Sequence, residues 1–154
     1  MEATAETTLF SGEHRLLLDP KHRITVPAKF RGGNRSDREP EELFILKSPT
    51  EPCLLAYRQK EFLEVGRKME RSDKSPDQKK LFKRMFFSSA KLTLVDKQGR
   101  MVIHEDFRKP LEITSEVYVV GADDRFELWK PELWEELRQS DSADYSQLAT
   151  SMGI

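Results

Sequence analysis

Two Asp-x-x-x-Arg frames are the residues of this chain whose types and spacing could do chemistry. Asp19 is followed by Lys21 and Arg23, and Asp96 is followed by Lys97 and Arg100. An Asp that opens a tight turn accepts backbone amides. Arg carries a planar fork that meets a phosphate or a guanine edge with two bonds. The spacing therefore admits two readings. In one, Asp and Arg close on each other and staple a loop. In the other, Arg23 and Arg100, with Lys21 and Lys97, reach outward to an anionic partner, while Asp19 and Asp96 orient the loop. The two are compatible, and spacing alone leaves both open.

Each frame sits inside a longer repeat. Residues 16–31 align on residues 93–108 without a gap at an offset of 77, and five landmarks coincide: the Asp, the Arg, the closing Phe30-Arg31 and Phe107-Arg108, and the apolar pair Leu17 and Leu94. Further on, Leu43-Phe44-Ile45-Leu46 answers Val117-Tyr118-Val119-Val120, Leu54-Leu55-Ala56-Tyr57 answers Phe126-Glu127-Leu128-Trp129, and Phe62 answers Trp134. Two copies make a duplicated supersecondary unit, too few for a solenoid.

Each half reads as strand, turn, strand, short helix, strand, turn, strand, helix. Asp19-Pro20 suits a type I turn, and Gly99 supplies the positive φ that a hairpin bulge needs. His22 stands at the position of Gly99, and His is among the few other residues that tolerate it. Pro27, Pro76 and Pro131 each suit a first helical position. The helix opened by Pro76 carries an apolar stripe of Leu81, Phe82, Met85 and Phe86. The expected organisation is an extension over 1–8, a first repeat over 9–70, a linker and connecting helix over 71–90, a second repeat over 91–139, and a loose polar tail over 140–154. Residues 32–41 read as a loop. So few strands enclose little core in one half, so the two copies are expected to interleave into one pseudo-twofold barrel of α+β, β-rich class with peripheral helices.

Composition narrows the function. The net charge of −1 conceals strong segregation. Residues 9–31 hold five Lys/Arg against two Asp/Glu, residues 58–91 hold eleven against five, and residues 112–154 hold three against ten. Such a chain can present a basic face despite a neutral total. The polar, acidic residues 1–8 lack the features of a secretory leader, and no stretch has the apolar length of a membrane span. The lone Cys53 reads as a small core residue suited to a reducing compartment. No glycine loop for nucleotides is present, and His14, His22 and His104 are scattered without metal spacing. No cofactor, metal or small-molecule substrate is implied, and an enzyme has little support.

With these residues in view, the chain resembles the bacterial MraZ family. The resemblance rests on Phe10-Ser-Gly-Glu13 with residues 18–31, on Phe82-Lys-Arg-Met-Phe86 with Ala90 and residues 94–100, and on Val119-Val-Gly121 with Phe126-Glu-Leu-Trp129 and Trp134. It implies tandem swapped-hairpin repeats of the AbrB type and self-association into a ring of many subunits. It also implies a cytoplasmic, nucleoid-associated transcriptional regulator that binds double-stranded DNA at repeated promoter boxes upstream of cell-wall and cell-division genes. On that resemblance the DNA-binding residues are Lys21, Arg23, Lys97 and Arg100, with Asp19 and Asp96 orienting the loops. Phe82, Arg84 and Phe86 are expected in packing or subunit contact. Ser11, His22 and His104 depart from the family's usual Arg, Gly and Pro. The rival reading is an oligomeric protein-binding scaffold with a weakened DNA contact. The acids Glu105 and Asp106 in the second copy lead to the expectation that Arg23 outweighs Arg100.

Overall fold

A computed structural model describes residues 9–31 and 41–154. The extension expected over 1–8 and residues 32–40 of the expected loop lie outside the described residues. Within them, each half follows the expected order. The first half runs β1 (Glu13–Leu17), β2 (Arg23–Thr25), a 3-10 turn (Ala28–Phe30), β3 (Glu41–Lys47), β4 (Cys53–Tyr57) and α1 (Gln59–Glu70). Helix α2 (Pro76–Ser88) joins it to β5 (Lys91–Val95), β6 (Arg100–Val102), α3 (Glu105–Arg108), β7 (Glu116–Gly121), β8 (Phe126–Trp129) and α4 (Pro131–Ser140). A last helix, α5 (Ser142–Ser151), lies where a loose tail is expected. It buries no residue, so only local helix-forming tendency marks it, and a polar composition hides that signal.

Each half pairs its second hairpin internally, β3 with β4 and β7 with β8, but not its first. Strand β1 pairs with β7, β5 with β3, and β2 with β6, all antiparallel across the halves. The six-stranded sheet runs β1-β7-β8-β4-β3-β5, and β2 with β6 forms a separate two-stranded ribbon. The registers obey one pseudo-dyad. In the ribbon Ile24 faces Met101, its own counterpart at the offset of 77. In the sheet Leu55 faces Glu127, its counterpart at the offset of 72. Leu16 facing Val117 is matched by Thr93 facing Leu43.

The strands form an α+β architecture as expected, and the pseudo-twofold barrel expected from the sequence does not close. Among the described residues the sheet has two free edges, at β1 and β5, with the ribbon laid across one face. Strands β2 and β6 are three residues each, too short to bridge both edges.

Burial explains the layers. The face toward the ribbon is filled by Ile24, Val26, Phe30, Met101, Ile103 and Phe107 against Leu43, Leu54, Val119 and Phe126. Phe30 meets Phe10 and Phe126 at 5.5 and 5.4 Å between ring centres, so the first half's motif closes on the second half's strand. The other face is covered by α1, α2 and α4 through Phe62, Phe86, Trp134 and Leu137. Arg58 is buried at the join. Its Nε donates to Glu41 at 2.8 Å, its Nη2 donates to the Phe30 carbonyl at 2.9 Å, and its guanidinium lies 4.3 Å from the Phe10 ring centre. A buried Arg needs such partners, because desolvation would otherwise cost several kcal/mol. Cys53 is fully buried, and burial pushes its thiol up to about 12, which makes it a core residue and a poor nucleophile.

Candidate nucleic-acid interface

The ribbon brings both frames together. Side chains alternate along a strand, so with Ile24 and Met101 turned into the core, Arg23, Thr25, Arg100 and Val102 share the outer face. Arg23 pairs with Val102 at one end and Arg100 with Thr25 at the other, so the two Arg residues are separated by two positions along the ribbon, about 7 Å. Beyond each end projects a tip: Asp19 to His22 in one, Asp96 to Gly99 in the other.

The tips have the same internal wiring. Asp19 Oδ1 accepts the backbone amides of Lys21 and Arg23 at 2.9 Å each, and its Oδ2 accepts Arg23 Nε at 2.8 Å. Asp96 Oδ1 accepts the amides of Gln98 and Arg100 at 2.9 Å each, and its Oδ2 accepts Arg100 Nε at 3.1 Å. His22 and Gly99 take φ of 60° and 81°, as the turn requires. Lys21 and Lys97 are exposed. The staple reading therefore holds for Nε, and it leaves the outer nitrogens to be accounted for. Those of Arg23 have no protein partner among the described residues, whereas Arg100 Nη2 donates to Gln98 Oε1 at 2.5 Å.

Hydrogen bonds to the turn amides, and then the charge of the paired Arg, hold both aspartates below the ordinary value of 3.8. A carboxylate with a lowered folded value stabilises above its unfolded value, and that contribution disappears as pH falls through the folded one. The amide resonances of Gln98 and Arg100, in the tip that holds no histidine, should thus stay flat from pH 8 to 5 and move only below about 3.8. A midpoint above that value would contradict the staple.

The acids from which Arg100 is expected to matter less do not sit at its own tip. The chain leaves β6 beside Arg23, so α3 is carried toward the first tip. Glu105 is bonded to Lys109 at 2.5 Å and Asp106 to Lys91 at 3.3 Å. In its side-chain hydrogen bonds Arg100 differs from Arg23 by the contact with Gln98. Away from the ribbon, Phe82 and Phe86 stack on each other at 5.1 Å, and Phe86 stacks on Phe62 at 5.5 Å, so both pack within the chain. Arg84 is exposed, as are Leu81 and Met85, which the apolar stripe had placed inward.

Sequence reading missed the crossing of the motif-closing arginines. Arg31 from the first half lies over the second tip, where a Cβ on Gly99 would come within 2.5 Å of its Nη1. Arg108 from the second half lines a cleft with His22 of the first tip. Their equal place in the repeat was the available signal.

Comparison with known proteins places this geometry. A family model described as "MraZ protein, putative antitoxin-like" matches residues 86–152. A transcriptional regulator MraZ of Finegoldia magna is 33% identical over 144 residues, covering 94% of this chain and 96% of that protein. A transcriptional regulator MraZ of Desulforamulus reducens is 35% identical over 144 residues, covering 94% and 97%. The chain belongs to the MraZ family. Both alignments cover 144 of the 154 residues, so both tips fall within the shared region.

Proposed function

We propose that this MraZ chain is a DNA-binding transcriptional regulator that grips duplex DNA with the outer face of its ribbon and the two flanking tips. The observation that carries the reading is the pair of identically wired tips at the ends of one ribbon, each presenting an exposed Lys and an Arg fixed by its Asp. Such pre-set guanidinium groups lose little freedom on binding, which favours bidentate contact with phosphate or a base edge. The names of the Finegoldia and Desulforamulus relatives support regulation of transcription.

Each subunit offers few phosphate contacts, so several copies on repeated promoter boxes gain avidity without new contacts. We infer a ring of such subunits on boxes upstream of cell-wall and cell-division genes, in the cytoplasm at the nucleoid. Exposed Leu81 and Met85 on α2, and Leu92 and Leu94 on the edge strand β5, support self-association.

Four tip cations on phosphates correspond to a log–log salt slope of roughly −3 to −4 per subunit. Fluorescence anisotropy on DNA from upstream of the chain's own coding sequence should show that slope between 50 and 200 mM salt (about the range over which counterion release is read). Affinity unchanged across the range would sink the electrostatic account.

A further inference from the structure

The two tips differ in one respect that the shared wiring hides. Gly99 has no side chain, and Arg31 lies flat against its turn. At the equivalent place in the first tip, the His22 side chain stands out at φ 60°. A cleft of about 390 Å³ lies there, lined by His22, Arg108, Lys109, Glu112, Ile113 and Thr114. The backbone brings its walls together: Ile103 N donates to the His22 carbonyl at 3.0 Å, and Arg108 Nε donates to the Ile103 carbonyl at 2.9 Å. His22 and Arg108 come from opposite halves, so the cleft exists only because the halves exchange strands.

Its charges do not cancel. Of the acids near it, Asp19 is committed to Arg23 at 2.8 Å, Glu105 to Lys109 at 2.5 Å, and Glu112 to Lys130 at 3.0 Å. Of the lining residues, Arg108 has no ion-pair partner among the described residues, and His22 adds a second such cation when protonated. The terminal nitrogens of Arg108 make no protein hydrogen bond there either. A half-buried guanidinium beside an imidazole and the Thr114 hydroxyl is a donor set for an oxyanion.

We propose that this cleft is a phosphate-binding site that takes one backbone phosphate of the bound DNA, with His22 and Arg108 as its donors. The site deepens the DNA-binding reading and rests on it. Because only protonated imidazole donates from both nitrogens and carries charge, contact with phosphate favours the protonated form. DNA binding therefore tightens as pH falls through the imidazole range. The chain also carries His14 and His104, so the signal belongs to the difference between wild type and variants at position 22.

The test uses the full chain and DNA from upstream of its own coding sequence, at fixed ionic strength. His22→Gly keeps the positive φ at no steric cost, and His22→Asn keeps it with an uncharged side chain. The wild type should tighten about fivefold from pH 8 to pH 6, and both variants less than about twofold, as expected when one protonatable donor to phosphate is lost. At pH 6 the salt slope of each variant should also be shallower by about one phosphate contact. Equal pH dependence and equal slope in wild type and variants would overturn the site while leaving the regulator reading intact. Failure of the wild type to prefer this DNA would overturn both. Calorimetric titration with inorganic phosphate alone at pH 6 separates the sources of phosphate. No saturable heat is expected at millimolar phosphate, whereas saturable binding lost in His22→Asn would assign the cleft to a free anion and overturn the DNA assignment.

Discussion

Arg23→Ala is expected to weaken DNA binding by about 10- to 100-fold while leaving the chain folded, in line with 1–3 kcal/mol for one bidentate Arg contact. The separation of the two effects follows from the tip's wiring. Removing the guanidinium breaks the ion pair with Asp19, but Asp19 Oδ1 still accepts the amides of Lys21 and of residue 23. The lost pair is part-exposed, at 24% and 31% for the two side chains, and such pairs contribute about 1 kcal/mol or less. A melting temperature within a few degrees of wild type therefore accompanies the loss of binding. Arg100→Ala should cost less, because Gln98 already occupies one of its outer nitrogens. Unfolding or dissociation of the Arg23 variant would make Arg23 a structural staple only, and equal losses from both variants would contradict the ranking.

Residues 9–70 expressed alone are expected to form no folded monomer. In isolation β1 loses β7, β2 loses β6, β3 loses β5 and β4 loses β8. Ile24, Val26, Phe30, Leu43, Ile45 and Leu54, all buried in the intact chain, would face water on one side. At about 1.5–3 kcal/mol per buried large side chain, that loss exceeds the total stability of a typical domain. A second copy of the same fragment could supply every missing partner, since the pseudo-dyad through Ile24 and Leu55 would become a true one. Sedimentation should show an unfolded chain or a two-chain species that dissociates and unfolds together on dilution. A folded monomer at low concentration would show that the repeats are independent units.

The parts of this account legible in the sequence are the local ones. A turn and its i,i+4 partner are set within five residues, so the Asp-x-x-x-Arg frames, the positive φ at His22 and the proline-led helices follow from residue type and spacing. Interleaving was legible for a different reason, as half a chain cannot bury its own strands. The open sheet with a crossing ribbon was not, because three-residue strands carry too weak a pattern to say which edges they close. Contacts between halves were equally hidden. Nothing local links Arg58 to Glu41 and Phe30, or Arg31 to Gly99, and the outward turn of Leu81 and Met85 depends on which face of α2 meets α1. Helix α5 escaped notice because it packs on nothing that would impose an apolar stripe.

The central claim is that the two tips, set by one ribbon, bind specific DNA. A mobility-shift titration of the full chain against its own upstream DNA, with scrambled competitor in excess, tests it most directly. The account predicts a salt-sensitive shift that survives the competitor and that Arg23→Ala moves to about 10- to 100-fold higher protein concentration. A folded wild-type protein with no preference over scrambled DNA would contradict it.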